Sequence, residues 1–96
     1  MAQTTILAAA QTAGTSTDIT VADGSSVKVG LFAATGTGPI PAKVLATVYE
    51  DTPGDDNPIA QLSGANPTVV LTGPGTYRVS RPSIAHLGVD VGVYTE

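Results

Sequence analysis

The clearest alternation of apolar and polar positions lies near the end of the chain. Leu87, Val89, Val91 and Val93 fall on one side, and His86, Gly88, Asp90, Gly92 and Tyr94 on the other. A period of two marks a half-buried strand, because successive side chains point to opposite faces, and the pattern predicts a strand of about eight residues here. Val27, Val29 and Leu31 repeat it, with Lys28 pointing away. Val44, Ala46 and Val48 do so again, opposite Leu45, Thr47 and Tyr49, so both faces of this strand are candidates for burial. Ile19 and Val21 predict a short strand ahead of a turn at Ala22, Asp23, Gly24 and Ser25. Residues 68–71 and 76–80 supply two more. A helical apolar period is sustained nowhere; residues 6–13 come nearest, and Thr12, Gly14 and Thr15 cut that run short.

Turn residues fall between the predicted strands: Asp23-Gly24, residues 35–39, 52–55 and 64–67, and Gly73-Pro74-Gly75. Pro53-Gly54 suits the centre of a type II turn, since Pro fixes φ near −65° and Gly accepts positive φ. Six to eight short strands with this punctuation predict an all-β domain. The expected form is a small β-sandwich, immunoglobulin-like in one version, or a compact barrel, with an extended N-terminal arm over residues 1–15 and a single β domain over 16–96. The arm is uncharged and rich in Ala, Thr and Gln, with Ile6 and Leu7 its only large apolar side chains. A lone segment of that kind buries too little surface to offset its backbone entropy. It is expected to order on a partner by adding a strand, with Thr4, Thr5, Ile6 and Leu7 as contacts. The plainer alternative makes it the first strand of the sandwich.

Composition narrows the function. The chain has 96 residues, so it makes one domain with a thin core. Charged residues are only 12% of it and the net charge is −4. That balance argues against a nucleic-acid partner, which calls for a basic face. The absence of cysteine excludes disulfides, zinc thiolates and thiol catalysis. The first apolar run, residues 6–10, lacks a basic flank and is too short for a signal peptide or a membrane span, so no membrane partner is expected.

The dozen residues LTGPGTYRVSRP, 71–82, carry the most specific pattern. A Gly-x-Tyr-x-Val run after a Leu and a turn resembles the tyrosine corner of immunoglobulin-like sandwiches, where a Tyr at the start of a late strand returns its hydroxyl to nearby backbone. Tyr77 is the candidate; the alternative is a half-buried Tyr with its hydroxyl in water. Arg78 alternates away from Tyr77 and Val79 and is expected in solvent. Arg81 shares their inward parity but precedes Pro82 at the strand end. Both are candidate contacts to an acidic or carbonyl-rich partner, for which the arginine fork is suited, set against a plain solubilising role.

Chemistry beyond this is thin. Glu50, Asp51, Asp55 and Asp56 form a weak calcium candidate in an acidic hairpin, but the calcium-loop spacing is not met and an exposed loop is the better reading. His86 has no second histidine or cysteine for a metal, and Ser83, His86 and Asp90 on one extended segment cannot converge as a triad. The Gly-rich stretches lack the Lys-Ser/Thr of a phosphate loop. No catalytic residue, cofactor or metal is expected, and an enzyme is the least favoured class.

The chain as a whole resembles the capsid decoration, or cement, proteins of tailed bacteriophages. It is short, rich in Ala, Thr, Gly and Val, and cysteine-free, and it opens on a small-residue arm. It closes on RPSIAHLGVDVGVYTE, where an Arg-bearing strand leads to an alternating Val-Gly-Val strand. The resemblance implies a structural virion protein made in the host cytoplasm. Such a protein binds the major capsid protein on the capsid exterior, as a dimer or trimer, and stabilises the shell. It carries over no functional residue. A phage tail or fibre component is the second reading, and a calcium- or carbohydrate-binding β-sandwich module the third, weakened by the short supply of aromatics, Phe32, Tyr49, Tyr77 and Tyr94.

Overall fold

A computed structural model describes residues 3–36 and 38–96. Among them run nine strands: β1 (Thr4–Ala10), β2 (Gly14–Thr15), β3 (Ile19–Val21), β4 (Ser26–Ala33), β5 (Leu45–Glu50), β6 (Asn57–Ser63), β7 (Thr68–Thr72), β8 (Gly75–Arg81) and β9 (Val91–Thr95), with a short 3₁₀ turn at Ala85–Leu87. Two antiparallel sheets result, one ordered β1-β9-β4-β7 and the other β2-β8-β5-β6, with β3 also on β8. The fold is the expected small all-β sandwich. Only β5 and β6 form a hairpin of consecutive strands; every other pairing joins strands distant in sequence.

The core is what the period of two predicts. One sheet contributes Val29, Leu31, Leu71, Val91 and Val93, and the other Ile19, Val21, Ala46, Val48, Leu62, Tyr77 and Val79. Val44, Ile84 and Val89 join them from the connections, all buried. The opposite face of β5 is not covered in the same way: Leu45 is exposed while Thr47 and Tyr49 are half-buried.

Four expectations are corrected. The closing strand begins at Val91, not at His86. Residues 85–87 turn as a 3₁₀ helix and Gly88 takes a left-handed φ of 67°, which no strand accommodates and which favours glycine. Val89 still reaches the core, so the buried parity survives although the backbone is not extended throughout. Pro53-Gly54 is not a type II turn, because Gly54 lacks the positive φ that its third position needs. Thr52 shapes that loop instead: its hydroxyl accepts the Gly54 N–H at 3.2 Å and donates to the Asp55 carbonyl at 2.6 Å. A strand over residues 57–63 is present where the sequence offered only an acidic loop and its exit.

The fourth correction concerns the arm. Residues 4–10 are β1, paired with β9 from Thr4↔Thr95 to Ala10↔Val91, with register shifts on both sides of Leu7. Residues 14–15 then pair with β8 in the other sheet. The N-terminal segment thus crosses from one sheet to the other and closes that end of the sandwich, with Ile6 and Leu7 packed against the core. The alternation that would have flagged β1 is broken by its bulges.

Between β2 and β3 the ladder on β8 is carried by one residue, through its backbone and its side chain together. Ser16 donates its N–H to the Val79 carbonyl at 2.8 Å, and its hydroxyl accepts the Val79 N–H at 2.9 Å while donating to the Thr17 carbonyl at 2.9 Å.

Candidate functional site

Arg81 ends β8 and is only 4% exposed. Its Nε donates to the Thr12 carbonyl at 2.7 Å, and its Nη1 to the carbonyls of Ala8 at 2.8 Å and Val91 at 2.6 Å. These carbonyls belong to β1, to the crossing from β1 to β2 and to β9, and the guanidinium fork satisfies all three at once. Burial pushes the guanidinium below its ordinary value, and the charge of Asp90 opposes part of that fall. Inward parity therefore won over charge: Arg81 is an internal latch, not the partner contact expected of it. The carbonyl-rich surface it was suited to grip is its own N-terminal segment.

Arg78 points outward as expected, but its charge is engaged. Nε lies 3.2 Å from Asp18 Oδ1 and Nη1 2.8 Å from Asp56 Oδ2. The side chain thereby links the loop before β3 to the start of β6, and offers a partner little free charge. The same contact draws Asp56 out of the acidic cluster. Among the described residues no three His, Cys, Asp or Glu side chains come together as a metal site, so Glu50, Asp51, Asp55 and Asp56 are not assembled around a cation. His86 lies exposed on the 3₁₀ turn.

Tyr77 forms the corner that its sequence resembled. Its ring is buried, and its hydroxyl donates to the Thr72 carbonyl at 2.7 Å, across the connection from β7 to β8 that contains a cis Gly73–Pro74 bond.

The feature that sequence reasoning missed is on the outer face of the β1-β9-β4-β7 sheet. Phe32 on β4 stands opposite Gly92 on β9, and Gly30 on β4 opposite Tyr94 on β9. Each ring lies over the glycine across from it: a Cβ on Gly92 would fall 2.5 Å from the Phe32 ring, and one on Gly30 2.7 Å from the Tyr94 ring. The rings meet at 6.2 Å between centroids, tilted by 59°, a favourable aromatic geometry. Beside them opens a cleft of about 440 Å³ lined by Gln3, Thr5, Leu31, Phe32 and Tyr94. Of the four candidate contacts at the N-terminus, Thr5 lines this cleft. Thr4 is exposed on the same edge strand, and Ile6 and Leu7 turn to the core. The signal was present as Gly-x-Phe at 30–32 and Gly-x-Tyr at 92–94, which interlock when the strands run antiparallel.

Close by, Lys28 Nζ and Glu96 Oε1 pair at 2.9 Å, and the two residues also exchange backbone bonds that prolong the β4–β9 ladder. The hydrogen bond to Glu96, its charge and the nearby Tyr94 raise Lys28 above its ordinary value; the hydrogen bond and charge of Lys28 hold Glu96 below its own. The cleft itself presents the two rings, the hydroxyls of Thr5 and Tyr94 and the Gln3 amide.

Comparison with models of protein families gave no match, and neither did comparison with curated proteins or with solved structures.

Proposed function

We propose that this chain is a structural virion protein that binds the outer surface of a bacteriophage capsid and stabilises it. The observation that carries the reading is the Phe32–Tyr94 cleft on the open face of the β1-β9-β4-β7 sheet. Two rings held in place over glycines give rigid apolar contact at little entropic cost, and Thr5 and Gln3 add hydrogen bonding at the rim. The flat shape, 38 × 32 × 20 Å, suits a tile that lies on a shell through one broad face. Lys28, Arg78 and Arg81 are each engaged within the chain, so attachment through this face rests on shape and neutral polar contact. The whole-chain resemblance to phage decoration proteins points the same way. A thin-cored domain gains stability by mass action when it binds such a repeated surface.

The test is electron microscopy of native particles with and without this protein. Extra density on the capsid exterior is expected, with the β1-β9-β4 face towards the shell, and Tyr94→Ala should reduce its occupancy. Density along the tail instead would favour the tail-component reading, and unaltered particles would overturn both.

A further inference from the structure

Exposed sheet edges invite another chain to pair, and folded proteins blunt them with bulges, prolines, charges or short length. Among the described residues the sandwich has four edges, and three are blunted. β1 carries two register shifts. The β2/β3 edge is interrupted by residues 16–18, where Ser16 stands in for backbone and Asp18 adds a charge. β6 contains Pro58 and a register shift against β5. β7 has none of these. It pairs with β4 alone, over five consecutive residues without a shift. Its sequence, Thr-Val-Val-Leu-Thr, is uncharged and mostly β-branched, and residues 65–77 carry no charge either.

The ladder fixes which backbone groups of β7 are turned outward. The Leu31 N–H donates to the Pro67 carbonyl and the Gly73 N–H to the Ser25 carbonyl, so the odd-numbered residues bond to β4. The N–H and C=O groups of Thr68, Val70 and Thr72 therefore point off the sheet. Their side chains lie on the outer face, where Val70 is 60% exposed. That outward set, Thr-Val-Thr, is symmetric about Val70.

We propose that β7 pairs antiparallel with β7 of a second copy, across a twofold axis at Val70, so that two four-stranded sheets become one continuous sheet. Val70 exchanges both backbone bonds with its mate, and Thr68 does the same with the partner's Thr72. The Thr72 carbonyl, which already accepts the Tyr77 hydroxyl, has a second lone pair for this. On the outer face Val meets Val and Thr meets Thr, pairs that suit an antiparallel ladder. The symmetry selects a second copy over a foreign strand, since the same five residues complement themselves in an isologous interface. The lack of charge lets two molecules of net charge −4 approach there. The inference does not depend on the virion reading.

Sedimentation and light scattering over a wide concentration range test it, with three variants of the isolated chain. Wild type should dimerise reversibly. Val70→Pro removes an outward N–H and no bond to β4, so it should be monomeric with an unchanged melting temperature. Val70→Lys sets like charges face to face and should also be monomeric, with dimer partly recovered at high salt; it decides the matter if the proline variant fails to fold. Val70→Thr should dimerise as wild type does. A wild type that stays monomeric, or lysine and proline variants that dimerise undiminished, would overturn the proposal.

Discussion

At the scale of the residue, Arg81 and Tyr77 do related work with different stakes. Both return a side-chain donor to backbone carbonyls, Tyr77 to one and Arg81 to three. Tyr77→Phe removes one neutral hydrogen bond and keeps the ring in place, a loss of about 1 kcal/mol. Arg81→Met keeps much of the volume but leaves three carbonyls without their donor, each costing about 1–3 kcal/mol where water cannot replace it. Because whole domains hold only about 5–15 kcal/mol, the arginine variant should lie at or beyond the edge of folding while the tyrosine variant shifts modestly. Denaturant titration of the two side by side checks this, and equal midpoints would contradict the latch. Parity along β8 placed Arg81 inward with Tyr77 and Val79. What the sequence could not supply was the acceptor set, which exists only because a distant segment crosses the sheets beside it.

At the scale of the element, legibility followed the regularity of the pairing. β4 keeps register with both its neighbours, and its buried Val29 and Leu31 follow the alternation. β5 keeps register with β8 and buries Ala46 and Val48 as alternation implied, but its other face, also a candidate for burial, leaves Leu45 exposed. β1 and β6 contain register shifts, and a bulge reverses which side chains face in, so the period of two fails where it was needed. The Gly30/Tyr94 and Phe32/Gly92 pairs of β4 and β9 show a finer logic that leads to a graded prediction. The atoms nearest a Cβ on Gly30 all belong to the Tyr94 side chain, which can swing away, whereas one on Gly92 meets both the Phe32 ring and the Leu7 carbonyl at 2.6 Å, which is backbone. Gly92→Ala should therefore destabilise by about 1–3 kcal/mol, as overpacking does, and loosen β1. Gly30→Ala should cost less and open the aromatic cleft. Hydrogen exchange at β1 amides separates them: faster exchange in Gly92→Ala alone is expected.

At the scale of the whole molecule, charge is sparse, and Lys28, Arg78, Arg81 and the carboxylates of Asp18, Asp56 and Glu96 fasten one part to another. The Lys28–Glu96 pair ties β4 to the end of β9, and its effect on stability has a definite sign. Glu96 is held below its ordinary value of 4.5, so its contribution is complete above that pH and is lost as the pH falls through the lowered value. Lys28 is raised above its ordinary 10.5, so its contribution is complete below that pH and fades as the pH rises through the raised value. Both groups are solvent-accessible, so the effect should be slight and screened by salt. Glu96→Gln should flatten the acid limb of a melting-temperature profile measured at low salt, below about pH 4.5, and leave the neutral plateau almost unchanged. An acid limb identical to wild type would exclude the pair as its source. The sandwich architecture was legible at this scale from strand count and turn spacing. The face that carries the aromatic cleft was not, because it arises from cross-strand register rather than from any one segment.

The pairing of β1 with β9 sets Thr4 beside Thr95 and runs the two strands in opposite directions. Seen as a mechanical joint, that pair has its two outer ends, Thr4 and Thr95, on the same side. A pull applied at those ends would load its hydrogen bonds one after another, as a zipper opens, and not all together in shear. The peeling strand would come first to Ala8, where Arg81 holds the backbone from beneath, and then to Thr12, held by the same guanidinium. Resistance to force should thus be low at first and rise abruptly when the peel reaches the arginine, which makes one buried side chain the catch of the whole seam.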